Sequence, residues 1–207
     1  MNKSLTCWIS IGSTYTYLTS QRIMDVIQKQ SIDVVIKPFS VREIMKEMEN
    51  IPFPLSKLEK VNYMWRDIER RSLKYDLSVP KTPAPYPLKE FDQANLVGVL
   101  AAKEGWYLEY LKITYRLWFI DRLEAGSEEN LRKTFSILKK DFNDLMLRSQ
   151  SEEIYKNYRE NTKEARASGI FGAPSFQVLD EIFWGDDRLE DAVEFLYSEN
   201  SSEIDNS

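Results

Sequence analysis

Leu5, Cys7, Ile9 and Ile11 alternate with Thr6, Trp8 and Ser10. A period of two predicts a strand. Gly12-Ser13-Thr14 breaks it, and Tyr15, Leu18, Ile23, Val26 and Ile27 then share one face of a helix from about Tyr15 to Gln30. Ile32, Val34, Val35 and Ile36 predict a second, largely buried strand that Pro38 ends. Strand, helix and strand in about 33 residues make a βαβ unit, whose strands run parallel.

Beyond Pro38 the pattern turns helical. Val41 to Glu49 reads as a short helix, and Asn50-Ile51-Pro52-Phe53-Pro54 as a rigid loop. Ser56 is placed to cap a helix of about 17 residues through Leu58, Val61, Trp65, Ile68 and Leu73. Pro80, Pro83, Pro85 and Pro87 mark an extended crossing segment. Phe91 to Lys103 carries a small-residue stripe, Ala94, Gly98 and Ala101, and Trp106 to Leu123 is apolar on most sides. Ser127 starts a helix bearing Leu131, Phe135, Leu138 and Phe142; another runs from about Ser151 to Ser168.

The last stretch returns to alternation. Gly169-Ile170-Phe171-Gly172-Ala173-Pro174 leads into Phe176 and Val178, followed by a short strand from Ile182 to Trp184. Pro174 belongs at the mouth of a strand, where an X-Pro bond can be cis. Asp186-Asp187 opens a helix with Leu189, Val193 and Leu196 on its apolar face. A proline-initiated hairpin running into a terminal helix is the closing half of a thioredoxin-like fold. We therefore expect an α/β chain in which residues 1–40 and 169–198 form one thioredoxin-like domain. Residues 41–168 form a large all-helical insertion, and 199–207 a disordered tail.

Charge and composition narrow the chemistry. A formal net charge of -5 argues against nucleic acid or an anionic membrane as partner. No segment approaches the roughly 18 apolar residues of a membrane span. Cys7 alone permits no internal disulfide and suits a reducing compartment, most simply the cytoplasm. With no histidine and one cysteine, the imidazole relays and the zinc sites that need His or several Cys are excluded, and we expect no metal. The seven glycines form no phosphate-binding fingerprint. Any chemistry here lacks a protein imidazole or dithiol, which leaves a borrowed thiol as a candidate nucleophile.

The two ends of the chain carry a family likeness. Gly169-x-Phe171-Gly172-x-Pro174, then Phe183-Trp184-Gly185-x-Asp187-Arg188, and Ser13-Thr14-Tyr15-Thr16-Tyr17-Leu18 near the start, resemble motifs of the 2-hydroxychromene-2-carboxylate isomerases and kappa-class glutathione transferases. These are DsbA-like thioredoxin folds. The resemblance is strongest at both ends and weakest between about 76 and 150. It implies glutathione as cofactor, with Ser13 hydrogen-bonding its sulfur. A helix N-terminus lowers a thiol pKa, and a free thiol, near pKa ~8.5, is mostly protonated at neutral pH.

The resemblance also implies that Ala173, before a cis Pro174, presents its backbone to the cysteinyl residue of glutathione. Free N–H groups at Asp187 and Arg188 would hold the γ-glutamyl carboxylate, with Asp187 taking the ammonium. Asp186 reads as a helix cap. Asn50 matches a glutathione-contacting asparagine, although the family's Gly-Asn pair is Glu49-Asn50 here; the Pro52-to-Pro54 loop would clamp the glycyl end. Lys60, Tyr63, Asp67 and Arg70 fit an isomerase pattern on one helix face, suited to a substrate carboxylate. Trp65 and Trp118 are read first as core and second as an aromatic pocket.

Two departures stand out. The family's proline is Thr14, whose hydroxyl could compete for the thiolate. Where thioredoxin relatives have Cys-x-x-Cys, this chain has Ser13-Thr14-Tyr15-Thr16, so dithiol redox activity is excluded. The expected function is glutathione-dependent isomerisation of, or transfer to, a small aromatic or unsaturated organic acid, in a homodimer as in relatives. In the isomerase reaction the thiolate adds to a conjugated carbon, permits bond rotation and leaves. The alternative is a non-catalytic binding module using the same groove.

Overall fold

The computed structural model describes residues 4–50, 53–54 and 56–204, with side chains as far as residue 199. β1 (Leu5–Ile9), β2 (Val34–Pro38), β3 (Ser175–Val178) and β4 (Glu181–Trp184) form one sheet in the order β2-β1-β3-β4. β1 and β2 are parallel, Leu5 opposite Val34 and Ile9 opposite Pro38. β3 lies antiparallel to β1, with Cys7 opposite Phe176, and β4 antiparallel to β3. Segments far apart in sequence therefore meet in the middle of the sheet, where β1 and β3 satisfy each other's backbone groups.

α1 (Thr16–Gln30) crosses between the parallel strands. Between β2 and β3 come α2 (Val41–Glu47), α3 (Leu58–Lys74), α4 (Phe91–Glu104), α5 (Tyr107–Phe119), α6 (Glu128–Ile137), α7 (Phe142–Ser149) and α8 (Glu152–Ala167). A 3-10 turn, Asp186–Arg188, leads into α9 (Leu189–Ile204). One buried apolar cluster runs through the sheet and the helices alike, from Leu5 and Phe176 to Trp118 and Phe135. No described helix is long and apolar enough to cross a membrane.

Three local readings differ from the structure. Periodicity joins Phe142 to the helix of Leu131, but α6 stops at Ile137: Lys139 turns left-handed at φ 55°, and Lys140 N–H closes on Phe135 O at 2.9 Å. The Asp141 carboxylate then accepts from Asp144 N–H and caps a separate helix. Ser56 does not cap α3; Lys57 stands at that position without a side-chain bond. The last helix continues to Ile204, through residues we read as tail, while 205–207 lie outside the described residues.

The proline segment is pinned by its neighbours. Trp118 Nε1 donates to Pro85 O at 2.7 Å, and Arg122 Nη1 donates to Lys81 O at 3.0 Å and Pro83 O at 2.7 Å. Trp118 is fully buried, so it is core. Trp65 lines a cleft of about 540 Å³ with Tyr86, Arg66 and Arg122. At 100° per residue, that cleft opens on the flank of α3 opposite Asp67.

Candidate active site at the mouth of the first helix

β1 ends at Ile9, and residues 10–13 turn the chain into α1. Gly12 sits at φ 126°, with the Phe91 ring only 2.5 Å from where a Cβ would be. That backbone angle and that lack of space admit glycine alone. Two side chains of the helical insertion take up the turn's backbone groups. Asn95 accepts from Ile11 N–H at 2.8 Å and donates to Ile11 O at 2.9 Å. The Tyr115 hydroxyl accepts from Gly12 N–H at 3.3 Å and donates to Ser13 O at 2.8 Å.

Ser13 is half-buried, and its Oγ–H donates to Ala173 O at 2.6 Å. The Ala173–Pro174 peptide is cis. Pro174 O in turn accepts from Gly185 N–H at 3.0 Å, which ties the strand mouth to the start of the last helix. Gly172 allows the same tie from outside: a Cβ there would fall 2.2 Å from Trp184 Nε1. The Trp184 ring, half-exposed, lies edge-on to Phe171 with centroids 4.8 Å apart. Ser13, Ala173, Pro174 and the Asp186–Arg188 turn thus form one continuous corner.

Thr14 is 3 % exposed, and its hydroxyl donates to Met64 Sδ at 3.0 Å. It points into the core, so it does not compete at the Ser13 hydroxyl. Cys7 is fully buried, and burial pushes its thiol up to about 12, which leaves it protonated and unreactive.

The charged end of the corner is denser than its sequence suggests. Asp186 is 2 % exposed and makes no capping bond, contrary to its reading as a cap. Its Oδ2 lies 2.9 Å from Arg71 Nη2, an ion pair without hydrogen-bond alignment. Arg22 donates to Asp186 O at 2.6 Å and pairs with Glu190. Burial, opposed by Arg71 and reinforced by Asp187, raises the Asp186 carboxyl from 3.8 to about 7. Asp187 is partly exposed; burial pushes its carboxyl up, but the Arg188 hydrogen bond at 3.0 Å and the Arg71 charge outweigh that and hold it low. Arg71 Nη1 is 3.7 Å from Asp187, and Arg188 also pairs with Asp191.

Of the four α3 residues, one reaches this corner. The Tyr15 hydroxyl donates to Asp67 Oδ2 at 3.0 Å, and burial with that bond raises its pKa. Lys60 Nζ lies 5.4 Å above the Phe53 ring, which in turn tilts against Tyr15 at 6.1 Å. Tyr63 is 60 % exposed and Arg70 is exposed. Asn50 is exposed, its N–H on Met45 O at 2.8 Å. Glu49 before it has φ 53°, a left-handed angle that glycine takes more readily. Pro52, expected to help clamp the glycyl end, lies outside the described residues.

Arg22, Arg71, Asn95 and Tyr115 carry no motif signal. A cation, Arg22, one turn from Leu18 and Val26 on the apolar face of α1 and an asparagine beside the small-residue stripe were the available hints.

Comparison with known proteins bears on the fold and the family. The 2-hydroxychromene-2-carboxylate isomerase of Sphingobium xenophagum is 26 % identical over 199 residues, covering 95 % of this chain and 99 % of that protein. Glutathione s-transferase kappa 2 of Caenorhabditis elegans is 25 % identical over 206 residues, covering 91 % and 89 %. A solved structure of a 2-hydroxychromene-2-carboxylate isomerase shares the fold, with a TM-score of 0.83 at 19 % identity and 98 % coverage of each chain. The model of the DSBA-like thioredoxin domain matches residues 4–197, and the chain belongs to that family.

Proposed function

We propose that the protein is a glutathione-dependent enzyme, an isomerase or transferase acting on a small aromatic or unsaturated organic acid, in which Ser13 keeps the glutathione sulfur ionised. The observation that carries this is the 2.6 Å hydrogen bond from Ser13 Oγ to Ala173 O. It puts the hydroxyl of a helix mouth on the backbone carbonyl that a bound peptide would use. The names and coverage of the two relatives support the same reading.

The residues fit the tripeptide. Its cysteinyl N–H would replace the Ser13 hydroxyl on Ala173 O, pairing like an added strand. The released hydroxyl then turns to the sulfur, so the donor is freed only as the peptide seats. The helix N-terminus adds a partial positive charge. Asp187, ionised and half-exposed, suits the γ-glutamyl ammonium; contrary to expectation the Arg188 N–H is not free, being held by Gly185 O at 3.2 Å, which leaves the Asp187 end of the turn for the carboxylate. Asn50 is assigned to the glycyl end. Once bound, glutathione supplies a nucleophilic sulfur. The α3 face of Lys60, Tyr63, Asp67 and Arg70 is assigned to the substrate carboxylate, with Asp67 tied to the start of α1 by the Tyr15 hydroxyl. Cys7, buried and unpaired, is compatible with a reducing cytoplasm.

The test is ultraviolet difference absorbance on adding glutathione at neutral pH. We expect a thiolate band in the wild type that Ser13→Ala abolishes while S-methylglutathione still binds. Glutathione binding without a thiolate band in the wild type would instead leave a non-catalytic binding module.

A further inference from the structure

We propose that Tyr115, carried by α5 of the helical insertion, is a positioning residue that sets Ser13 from behind. This rests on the role just proposed for Ser13 and adds the element that fixes it. The turn between β1 and α1 belongs to no ladder and no helix, so its polar groups need other partners. Four of them end on two insertion side chains. Ile11 N–H and C=O meet Asn95; Gly12 N–H and Ser13 C=O meet the Tyr115 hydroxyl.

A phenolic hydroxyl has one hydrogen to give. The 2.8 Å contact to Ser13 O takes it, the Gly12 N–H at 3.3 Å donates to the oxygen, and Ser10 O at 3.5 Å is marginal. Desolvation raises the pKa of this fully buried tyrosine, so the hydrogen is retained at any working pH. Asn95 is itself locked by a third bond, to Phe91 O at 2.8 Å.

The consequence is a division of labour within Ser13. Its backbone is held at both ends of the residue, Ser13 N–H on Ser10 O and Ser13 O on Tyr115. Only the side-chain hydroxyl is free to exchange Ala173 O for another acceptor. Gly12, at φ 126°, gives the turn little preference of its own. Removing the Tyr115 hydroxyl therefore releases the Ser13 Cα by fractions of an ångström, and displacements of that order matter greatly for reacting groups.

Tyr115→Phe is the test, because the ring stays packed against Trp118 at 5.3 Å and Phe119 at 5.9 Å. We expect amide hydrogen exchange in residues 10–17 to quicken about tenfold while α5 and β3 exchange as in the wild type. The titration midpoint of the bound glutathione thiol should rise by about one pH unit, with S-methylglutathione affinity unchanged. Asn95→Ser should give the same local pattern from the other anchor. Uniformly faster exchange, or unchanged exchange in residues 10–17, overturns the inference. Selective loosening of 10–17 in a protein that shows no glutathione thiolate would sink the proposed function and leave the positioning role standing.

Discussion

In the turn that carries Ser13 the contacts are hydrogen bonds between neutral groups: Ser13 to Ala173, Tyr115 to Ser13, Asn95 to Ile11. At the other end of the corner, Arg22, Arg71, Asp186, Asp187 and Arg188 form an ionic mesh around the first turn before α9. The two ends are joined through Pro174, whose carbonyl holds Gly185. Neutral hydrogen bonds are short-ranged, insensitive to salt and exacting in direction. Charges act over longer distances, tolerate misalignment and couple to pH and ionic strength. A site that orients one sulfur at one end and attracts a zwitterionic arm at the other needs both kinds, kept apart.

The comparison can be broken, starting from the largest effect. Ser13→Ala should lower kcat on a glutathione-dependent substrate by about a hundredfold, as loss of one charge-stabilising donor does. Steady-state kinetics at 50 and 500 mM salt should show a loss nearly independent of salt, since the donor removed is an uncharged, short-range hydroxyl. A salt-dependent loss would place Ser13 in the ionic half.

Arg71→Met removes the closest cation from a buried carboxylate. Stripping one partner from such a pair costs about 3 kcal/mol when the charge must remain. Asp186 has an escape, because its carboxyl already sits near 7 and can take up a proton. Urea denaturation should therefore show little loss at pH 5 and a loss that grows above pH 7, reaching about 1.4 kcal/mol at pH 8. Equal losses at both pH values would mean that Asp186 stays ionised.

Asp186→Asn sharpens the same point. A carboxyl raised on folding adds stability while protonated and loses that contribution as pH climbs from its ordinary 3.8 through about 7. The limiting slope for one such group is about 1.4 kcal/mol per pH unit. The wild type should lose stability over that window relative to the Asn variant, with no further relative loss above pH 8. The chain has no histidine, so this carboxyl is the described side chain brought closest to neutral pH. The smallest effect belongs to Asp187→Asn. A partly exposed pair contributes roughly 0.2–1 kcal/mol, so calorimetry should show a few-fold weaker glutathione affinity that converges with wild type at high salt.

Reading the chain without coordinates recovered the elements whose signals are local. Alternation marked β1, the Pro174 motif marked β3, and Ser127 and Ser151 marked the starts of α6 and α8, where both accept the expected backbone bonds. The break between α6 and α7 was missed because Leu138 and Phe142 keep a helical spacing across a cap. The candidate corner was legible only in part. Ser13 and Ala173 are 160 positions apart, yet each lies in a motif, so their meeting could be anticipated. Arg71 sits in a helix crowded with charges, and nothing in its neighbours tells which one turns inward to Asp186.

Sequence alone thus determined the βαβ and ββα halves and the exclusion of dithiol and imidazole chemistry, and it put Ser13 forward as the candidate. Those follow from residue identity and short-range periodicity. Tertiary structure decided that Thr14 turns inward to Met64, that Asp186 is buried and not a cap, and that the helical insertion holds the turn behind Ser13. Burial and long-range partnership are properties of the assembled core. A residue's polarity states only what it needs, and packing decides which distant group meets that need.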